Sequence, residues 1–276
     1  MFFQCGKFRL PLERPLIMGV VNVTPDSFSD GGRFADPHAA ADHARRLLDE
    51  GADIVDIGGE STRPGSQSVT LDQERRRVLP VLEKLAGVPA PLSVDTQKPE
   101  LMREAIAAGA AMINDINALQ AAGALETVAA SDAAVCLMHK QGTPADMQAA
   151  PHYADVVTEV AGFLDGRVRA ARGAGIAAER IAIDPGFGFG KTLAHNLELL
   201  RGLDHLQTIG TTLLVGVSRK SMLGAITGRD VGERLSASIA AALIAVEKGA
   251  RIVRAHDVAA TRDALAVWTA VNDVKK

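Results

Sequence analysis

Short runs of consecutive apolar residues alternate along the chain with longer stretches whose apolar positions recur every three or four residues. The first pattern reads as strands buried on both faces, the second as amphipathic helices. Eight runs qualify as strands: residues 16–21, 54–57, 92–94, 112–114, 134–138, 181–183, 213–217 and 251–253. Ala40, Ala44, Leu47 and Leu48 mark one helical stripe, opened by Asp36-Pro37 as N-cap and first-turn proline and stopped by Gly51. Leu235, Ile239, Leu243 and Val246 mark another, stopped by Gly249. Phe2 to Leu10, with Gly6-Lys7 at its centre, resembles a hairpin.

A weak internal repeat orders these elements. Gly51-Ala52-Asp53, Gly109-Ala110-Ala111 and Gly249-Ala250-Arg251 each end a helix and open a strand. A glycine in the left-handed conformation ends the helix, and a short loop follows. Five residues after each glycine stands a polar residue: Asp56, Asn114 and Arg254. The spacing places a functional group at the same height on three strands. Eight strands, each followed by a helix, predict a (β/α)8 TIM barrel with the N-terminal hairpin covering its bottom. The competing arrangement is an open doubly wound sheet, which usually has fewer strands and carries a phosphate fingerprint.

The chain has 276 residues, long enough for one large domain or two small ones. No Pro/Ser-rich linker divides it, which favours one barrel domain over residues 1–276. With 47% hydrophobic and 23% charged residues it is not a disordered chain, and with 4% aromatics its core relies on aliphatic packing. A net charge of -3 lacks the basic excess of a nucleic-acid binder. Two cysteines, Cys5 and Cys136, are too few for a disulfide framework, and reduced thiols fit the cytoplasm. The longest apolar stretch near the N-terminus, residues 16–21, is far short of the ~20 residues of a membrane span.

Gly186-Phe187-Gly188-Phe189-Gly190-Lys191-Thr192 superficially resembles a nucleotide loop. A P-loop needs glycine where Pro185 stands, and the dinucleotide fingerprint needs another glycine spacing. What remains is a loop that lets backbone approach a ligand, with Phe189 as a packing surface. His139 lacks the companions of a zinc site.

In a barrel, ligand chemistry sits at the C-terminal strand ends. Asn22, Asp56, Asp95, Asn114-Asp115, Asp184, Ser218-Arg219-Lys220 and Arg254-Ala255-His256-Asp257 all fall there. Each alone has a structural reading: an aspartate caps the next helix, an arginine pairs with a neighbour, and Asp56 anchors loops behind a ligand. Together they imply an electrically divided mouth. Barrel closure puts Arg254, His256, Asn22 and Arg63 on one side and Asp95, Asn114 and Asp184 on the other. Arginine offers a donor fork for phosphate, and carboxylates with an amide suit a donor-rich heterocycle. Asn22 is positioned to help hold Mg2+ on the phosphate.

The ordered motifs resemble the dihydropteroate synthase family over nearly the whole chain. They run from Met18-Gly19-Val20-Val21-Asn22-Val23-Thr24-Pro25-Asp26-Ser27-Phe28-Ser29-Asp30-Gly31-Gly32 through Asp56-Ile57-Gly58-Gly59-Glu60-Ser61-Thr62-Arg63-Pro64-Gly65 and Ser93-Val94-Asp95-Thr96. They continue with Asp184-Pro185-Gly186-Phe187-Gly188-Phe189-Gly190-Lys191, Ser218-Arg219-Lys220 and Arg254-Ala255-His256-Asp257. The resemblance implies a transferase of folate biosynthesis that joins 6-hydroxymethyl-7,8-dihydropterin diphosphate to p-aminobenzoate. It implies pterin contacts at Asp95, Asn114, Asp184 and Lys220, with Met138 and Ala255 also against substrate. Thr62, Arg63, Asn22, Arg254 and His256 are implied near the diphosphate, with Mg2+ at Asn22. Phe28, Pro64, Phe189 and Ser221 are implied around p-aminobenzoate. Arg254, His256, Lys220, Arg63 and Asp30 form the implied catalytic set. Family members are usually homodimers and sulfonamide targets. Two stretches depart from the family pattern: Asn114-Asp115-Ile116-Asn117-Ala118, where Val-Ser-Gly or similar is expected after Asn-Asp, and Ala255 in place of valine.

The mechanism implied is SN1-like substitution at the pterin methylene carbon, with Mg2+, Arg254 and His256 stabilising the departing diphosphate. Rival readings are a reduced-folate methyltransferase barrel, a catalytically silent pterin-binding paralogue, and a Schiff-base aldolase using Lys220. Late in the chain, Ala264, Leu265 and Trp268 form a stripe that reads as core before interface.

Overall fold

The computed structural model describes residues 1–24, 36–62 and 65–272. Two antiparallel strands, β1 (Phe2–Cys5) and β2 (Phe8–Pro11), form the expected hairpin. A closed parallel barrel follows, built from β3 (Leu16–Asn22), β4 (Ile54–Gly58), β5 (Leu92–Asp95), β6 (Met112–Asp115), β7 (Ala134–Met138), β8 (Ile181–Asp184), β9 (Thr212–Val215) and β10 (Ile252–Ala255). β10 closes on β3, with Arg254 opposite Met18. The open-sheet alternative is thereby excluded. The seventh strand stops before Val217: Gly216 follows it, beside Arg254.

Helices α1 (Pro37–Asp49), α2 (Leu71–Lys84), α3 (Pro99–Ala107), α4 (Ala124–Ala129), α5 (Val156–Gly173), α6 (Leu193–Arg201), α7 (Ser221–Thr227), α8 (Leu235–Glu247) and α9 (Val258–Asn272) surround the strands. Asp36 caps α1 by accepting from the His38 N–H at 3.0 Å. The three repeat glycines, Gly51, Gly109 and Gly249, have φ of +100°, +101° and +101°. In each case the next residue's N–H reaches back five residues to a helical carbonyl at 2.9 Å, as from Ala52 to Leu47. Local repetition in sequence is thus repetition in hydrogen bonding, and it sets three strands at one height.

Two apolar layers result. Ile17, Val21, Val55, Ile57, Val94, Ile113, Leu137, Ile183 and Val253 face outward and pack under the helices. Leu16, Met18, Ile54, Met112, Ala134, Cys136, Ala182, Leu214 and Ile252 fill the interior, joined by Phe3, Cys5 and Leu12 from the hairpin region. The hairpin therefore covers the bottom, as the sequence predicts. Both cysteines are buried and unpaired. Among the described residues no helix is long and apolar enough to cross a membrane.

One helix face differs from its expected stripe. α8 buries Ser238, Ala241, Ala242, Ala245 and Val246, while Leu235 and Ile244 are exposed. The helix is apolar almost all round, and its small residues face the core. In α9, Leu265 is core and Trp268 packs against the core edge, donating its indole N–H to Glu247.

Candidate active site

Inward-facing positions change character along the barrel. Below lie the apolar residues of the inner cluster; above them, on the same strands, stand Asp56, Ser93, Asp95, Asn114, Asp184 and Arg254. Asp56 is fully buried and is the hub. It accepts from Ser93 Oγ at 2.6 Å, Asn114 Nδ2 at 3.0 Å and Arg254 Nε at 2.7 Å. The three positions picked out by the glycine repeat therefore meet in one cluster. Arg254 Nη2 also donates to Asp95 Oδ2 at 3.2 Å. Burial and the Asp56 charge push the Asp95 carboxyl well above the usual carboxylate range.

The divided mouth read from the sequence is not the arrangement seen. Arg254 starts on the expected side, next to β3, but its side chain crosses to Asp56 and Asp95. The physical reason is burial: an unpaired guanidinium inside the barrel costs far more than one forked across two carboxylates.

Asp184 is buried at the end of β8, accepts from the Gly186 N–H at 2.7 Å, and has its pKa raised by burial. Lys220 is half-buried across from it, and desolvation lowers its pKa to about 8. Its Nζ lies 4.4 Å from the centre of the Phe189 ring. Phe189, Met138, Ile116 and Met147 form a separate apolar cluster. Gly216 leaves space between Arg254 and Asp184: a Cβ there would sit 3.8 Å from Arg254 Cβ and 3.9 Å from Asp184 Oδ2. Carboxylates, an amide, an amino group and an aromatic face at one end of the barrel are the groups that suit a flat ring carrying both donors and acceptors.

At the rim, Asn22 is half-buried at the end of β3, and its Oδ1 and Asp95 Oδ2 flank Gly58, each 3.8 Å from a Cβ built there. His256 is half-buried, its Nδ1 3.0 Å from Ser218 Oγ, and its backbone N–H bonds the same hydroxyl. Thr62 is half-buried in the loop after β4, and Ser221 is exposed at the start of α7. The Ala255 side chain lies in the outer apolar layer, so only its backbone faces the mouth. Phe28, Asp30, Arg63 and Pro64 lie outside the described residues.

Several residues take supporting roles that the sequence did not assign them. Lys98 Nζ donates to Glu60 and Glu74 at 2.5 Å each, tying the loop after β4 to α2 and α3. Arg219 has φ +58° and is held there by a fork onto Asp257 and by its N–H to Ser238 Oγ at 2.9 Å, which sets the start of Lys220. Ala118, where a glycine is expected, has φ +52° and Leu119 has φ +55°. Asp115 accepts from the N–H groups of Asn117 and Leu119, and Arg167 donates to the carbonyls of Ala118 and Leu119. The departure from the family pattern is thus compensated by two clamps, one from the buried Asp115 and one from the half-buried Arg167. The Asp115 clamp is local, but the Lys98, Arg167 and Arg219 side-chain contacts join residues 24 to 49 apart, and sequence spacing does not carry them.

Residues 18–256 match the family model of pterin binding enzymes. A dihydropteroate synthase of Neisseria meningitidis serogroup C is 52% identical, with 98% of this chain and 97% of that protein covered. The structure of a Xanthomonas albilineans dihydropteroate synthase with 4-aminobenzoic acid is 53% identical with a TM-score of 0.93, covering 99% of this chain and 98% of that one. The structure of a Burkholderia cenocepacia dihydropteroate synthase with 7,8-dihydropteroate is 50% identical with a TM-score of 0.89, covering 98% of this chain and 96% of that one. A match over most of the length at this identity shows membership, and the chain belongs to the pterin-binding dihydropteroate synthase family.

Proposed function

We propose that the chain, as one catalytic domain over residues 1–276, joins 6-hydroxymethyl-7,8-dihydropterin diphosphate to p-aminobenzoate, giving 7,8-dihydropteroate and diphosphate. The observation that carries this reading is the polar layer inside the barrel mouth. Asp95, Asn114 and Asp184 offer acceptors to ring N–H groups, Lys220 offers donors to ring acceptors, and Gly216 leaves the gap between Arg254 and Asp184 open. Met138 and Phe189 supply an apolar wall.

In the reaction the C–O bond to diphosphate breaks and the leaving group takes the electron pair. The neutral amine of p-aminobenzoate then forms the C–N bond and loses a proton to solvent. On this reading Arg254 and His256 stabilise the charge that develops on the leaving group. A cationic pterin favours the ionised forms of Asp95 and Asp184, whose carboxyls burial otherwise holds toward the protonated state. Thr62, Arg63 and Asp30 complete the diphosphate side on this reading, and Phe28, Pro64, Phe189 and Ser221 border p-aminobenzoate.

Among the described residues no cluster of three His, Cys, Asp or Glu side chains could hold a metal ion. A neutral oxygen at Asn22, opening onto Gly58, suits an ion that keeps its waters and arrives on a diphosphate. When bound there, Mg2+ neutralises leaving-group charge. Ile226, Val231, Leu235, Ile244, Val267 and Val271 are exposed on α7, α8, α9 and the turn between α7 and α8, which supports a homodimer through that face. Two buried, unpaired thiols support a cytoplasmic location.

The test is diphosphate release from the two substrates, with and without Mg2+, by wild type and Arg254→Ala. Release that needs both substrates and falls at least a hundredfold in the variant is expected. Near-normal turnover of the variant would sink the leaving-group assignment, and no release by wild type would leave a pterin-binding protein without the activity.

A further inference from the structure

The glycine-rich segment after β8 ends in Lys191, a lysine that the reaction above does not use. It is 2% exposed, whereas a loop lysine ordinarily extends its ammonium to water. Its Nζ donates to Gly186 O at 3.0 Å and Phe189 O at 3.2 Å, and lies 3.0 Å from His139 Nδ1. These are the three bonds an ammonium can make. Burial lowers the Lys191 pKa to about 7 and, with the nearby positive charge, that of His139 to about 3, so the His139 ring is neutral and Nδ1 accepts from the protonated amine.

The three acceptors come from two elements. His139 follows β7, and its N–H bonds Asp184 O at 2.9 Å. Gly186 and Phe189 belong to the loop that carries the aromatic wall. Further bonds grip the same loop from outside: Tyr153 Oη donates to Gly190 O at 2.9 Å, and Gly188 N–H donates to Asn196 Oδ1 at 2.8 Å. The backbone has no slack, since a Cβ at Gly186 would lie 1.9 Å from His139 O.

We propose that Lys191 is a positioning residue whose buried ammonium ties the Gly186–Phe189 loop to His139 and so fixes the Phe189 ring as a wall of the p-aminobenzoate site. This rests on the placement of p-aminobenzoate against Phe189 given above. The ring is shared between Lys220 and the Ile116, Met138 and Met147 cluster, so a small shift of its backbone carbonyl moves it against both.

Lys191→Met keeps length and removes all three donors. Steady-state kinetics with each substrate varied should show the KM for p-aminobenzoate raised about tenfold, equivalent to ~1.4 kcal/mol, with the KM for the pterin diphosphate within about twofold. His139→Gln retains an acceptor and should keep a near-normal KM, whereas His139→Leu should raise it. That pair carries the test if Lys191→Met fails to fold. Phe189→Ala serves as the control. If it raises the KM for p-aminobenzoate while Lys191→Met and His139→Leu lower only the melting temperature, the positioning role is overturned. If Phe189→Ala leaves that KM unchanged, the placement of p-aminobenzoate is wrong, and the role falls with it.

Discussion

Asp56→Asn perturbs the hub while keeping its shape. The carboxylate is fully buried and takes hydrogen bonds from Ser93, Asn114 and Arg254. Ser93 bonds one carboxylate oxygen, and Asn114 and Arg254 share the other. An asparagine with its carbonyl oxygen toward Asn114 and Arg254 keeps both bonds, and its NH2 donates to Ser93 Oγ, which can accept. What is lost is the charge: the Arg254 bond falls from roughly 1.5–3 kcal/mol to about 1 kcal/mol, and the buried guanidinium keeps only Asp95 as a counter-charge. A destabilisation of roughly 2–3 kcal/mol follows, measured by urea unfolding at pH 7. Pterin affinity, measured by calorimetry, should fall about tenfold because the guanidinium, held less firmly at Asp56, competes harder for Asp95. The variant also changes pH dependence. Asp95 is raised in the folded state, so its stabilising contribution is present below about pH 4 and is lost as pH rises through the folded value. Removing the Asp56 charge lowers that folded value and narrows the window. Stability within ~1 kcal/mol of wild type, with unchanged pterin affinity, would refute the hub.

Lys98→Met leaves Glu60 and Glu74 facing each other without their cation. A loss of about 3 kcal/mol is expected in thermal melts at pH 8, and less at pH 5, because Glu74, already raised by burial, takes up a proton; equal losses at both pH values would contradict the arrangement. Lys220, with its pKa lowered to about 8, should be half neutral at pH 8, against well under ~1% for an ordinary lysine. Amine-reactive labelling followed by mass spectrometry should mark it ahead of exposed lysines and show protection by pterin, and labelling no faster than theirs would exclude the lowered value.

The barrel was legible because parallel strands buried on both faces read as unbroken apolar runs, and because left-handed glycines punctuate the helices. Positions 56, 114 and 254 were legible as a level on the barrel, through the glycine spacing. Their mutual bonding was not, because it depends on how far an arginine side chain reaches across a closed interior. α8 misled for a related reason: a helix apolar on all sides carries no periodic signal for which face is buried, and the face it buries is the one rich in alanine. Lys191 was hidden inside a motif that fails as a nucleotide loop, since a buried ammonium leaves no compositional trace. Ala118 in a left-handed conformation contradicts its propensity, and only the clamps from Asp115 and Arg167 account for it.

The crossing of Arg254 bears on how the ring and diphosphate would be accommodated. Its bond to the fully buried Asp56 is short at 2.7 Å, and its bond to Asp95 is longer at 3.2 Å. A ligand competes first for the weaker contact. On the proposed reading, a pterin ring offering N–H donors to Asp95 replaces the guanidinium there, while Asp56 keeps the Nε anchor and the freed Nη2 turns toward the diphosphate. The divided mouth inferred from the sequence would then be a property of the occupied site. In the structure, acids and base neutralise each other, which is what a low-dielectric interior requires. With ligand, the substrate's own donors and charges take over that neutralisation, so the separation of acids from base costs little only when the correct ring and diphosphate arrive together.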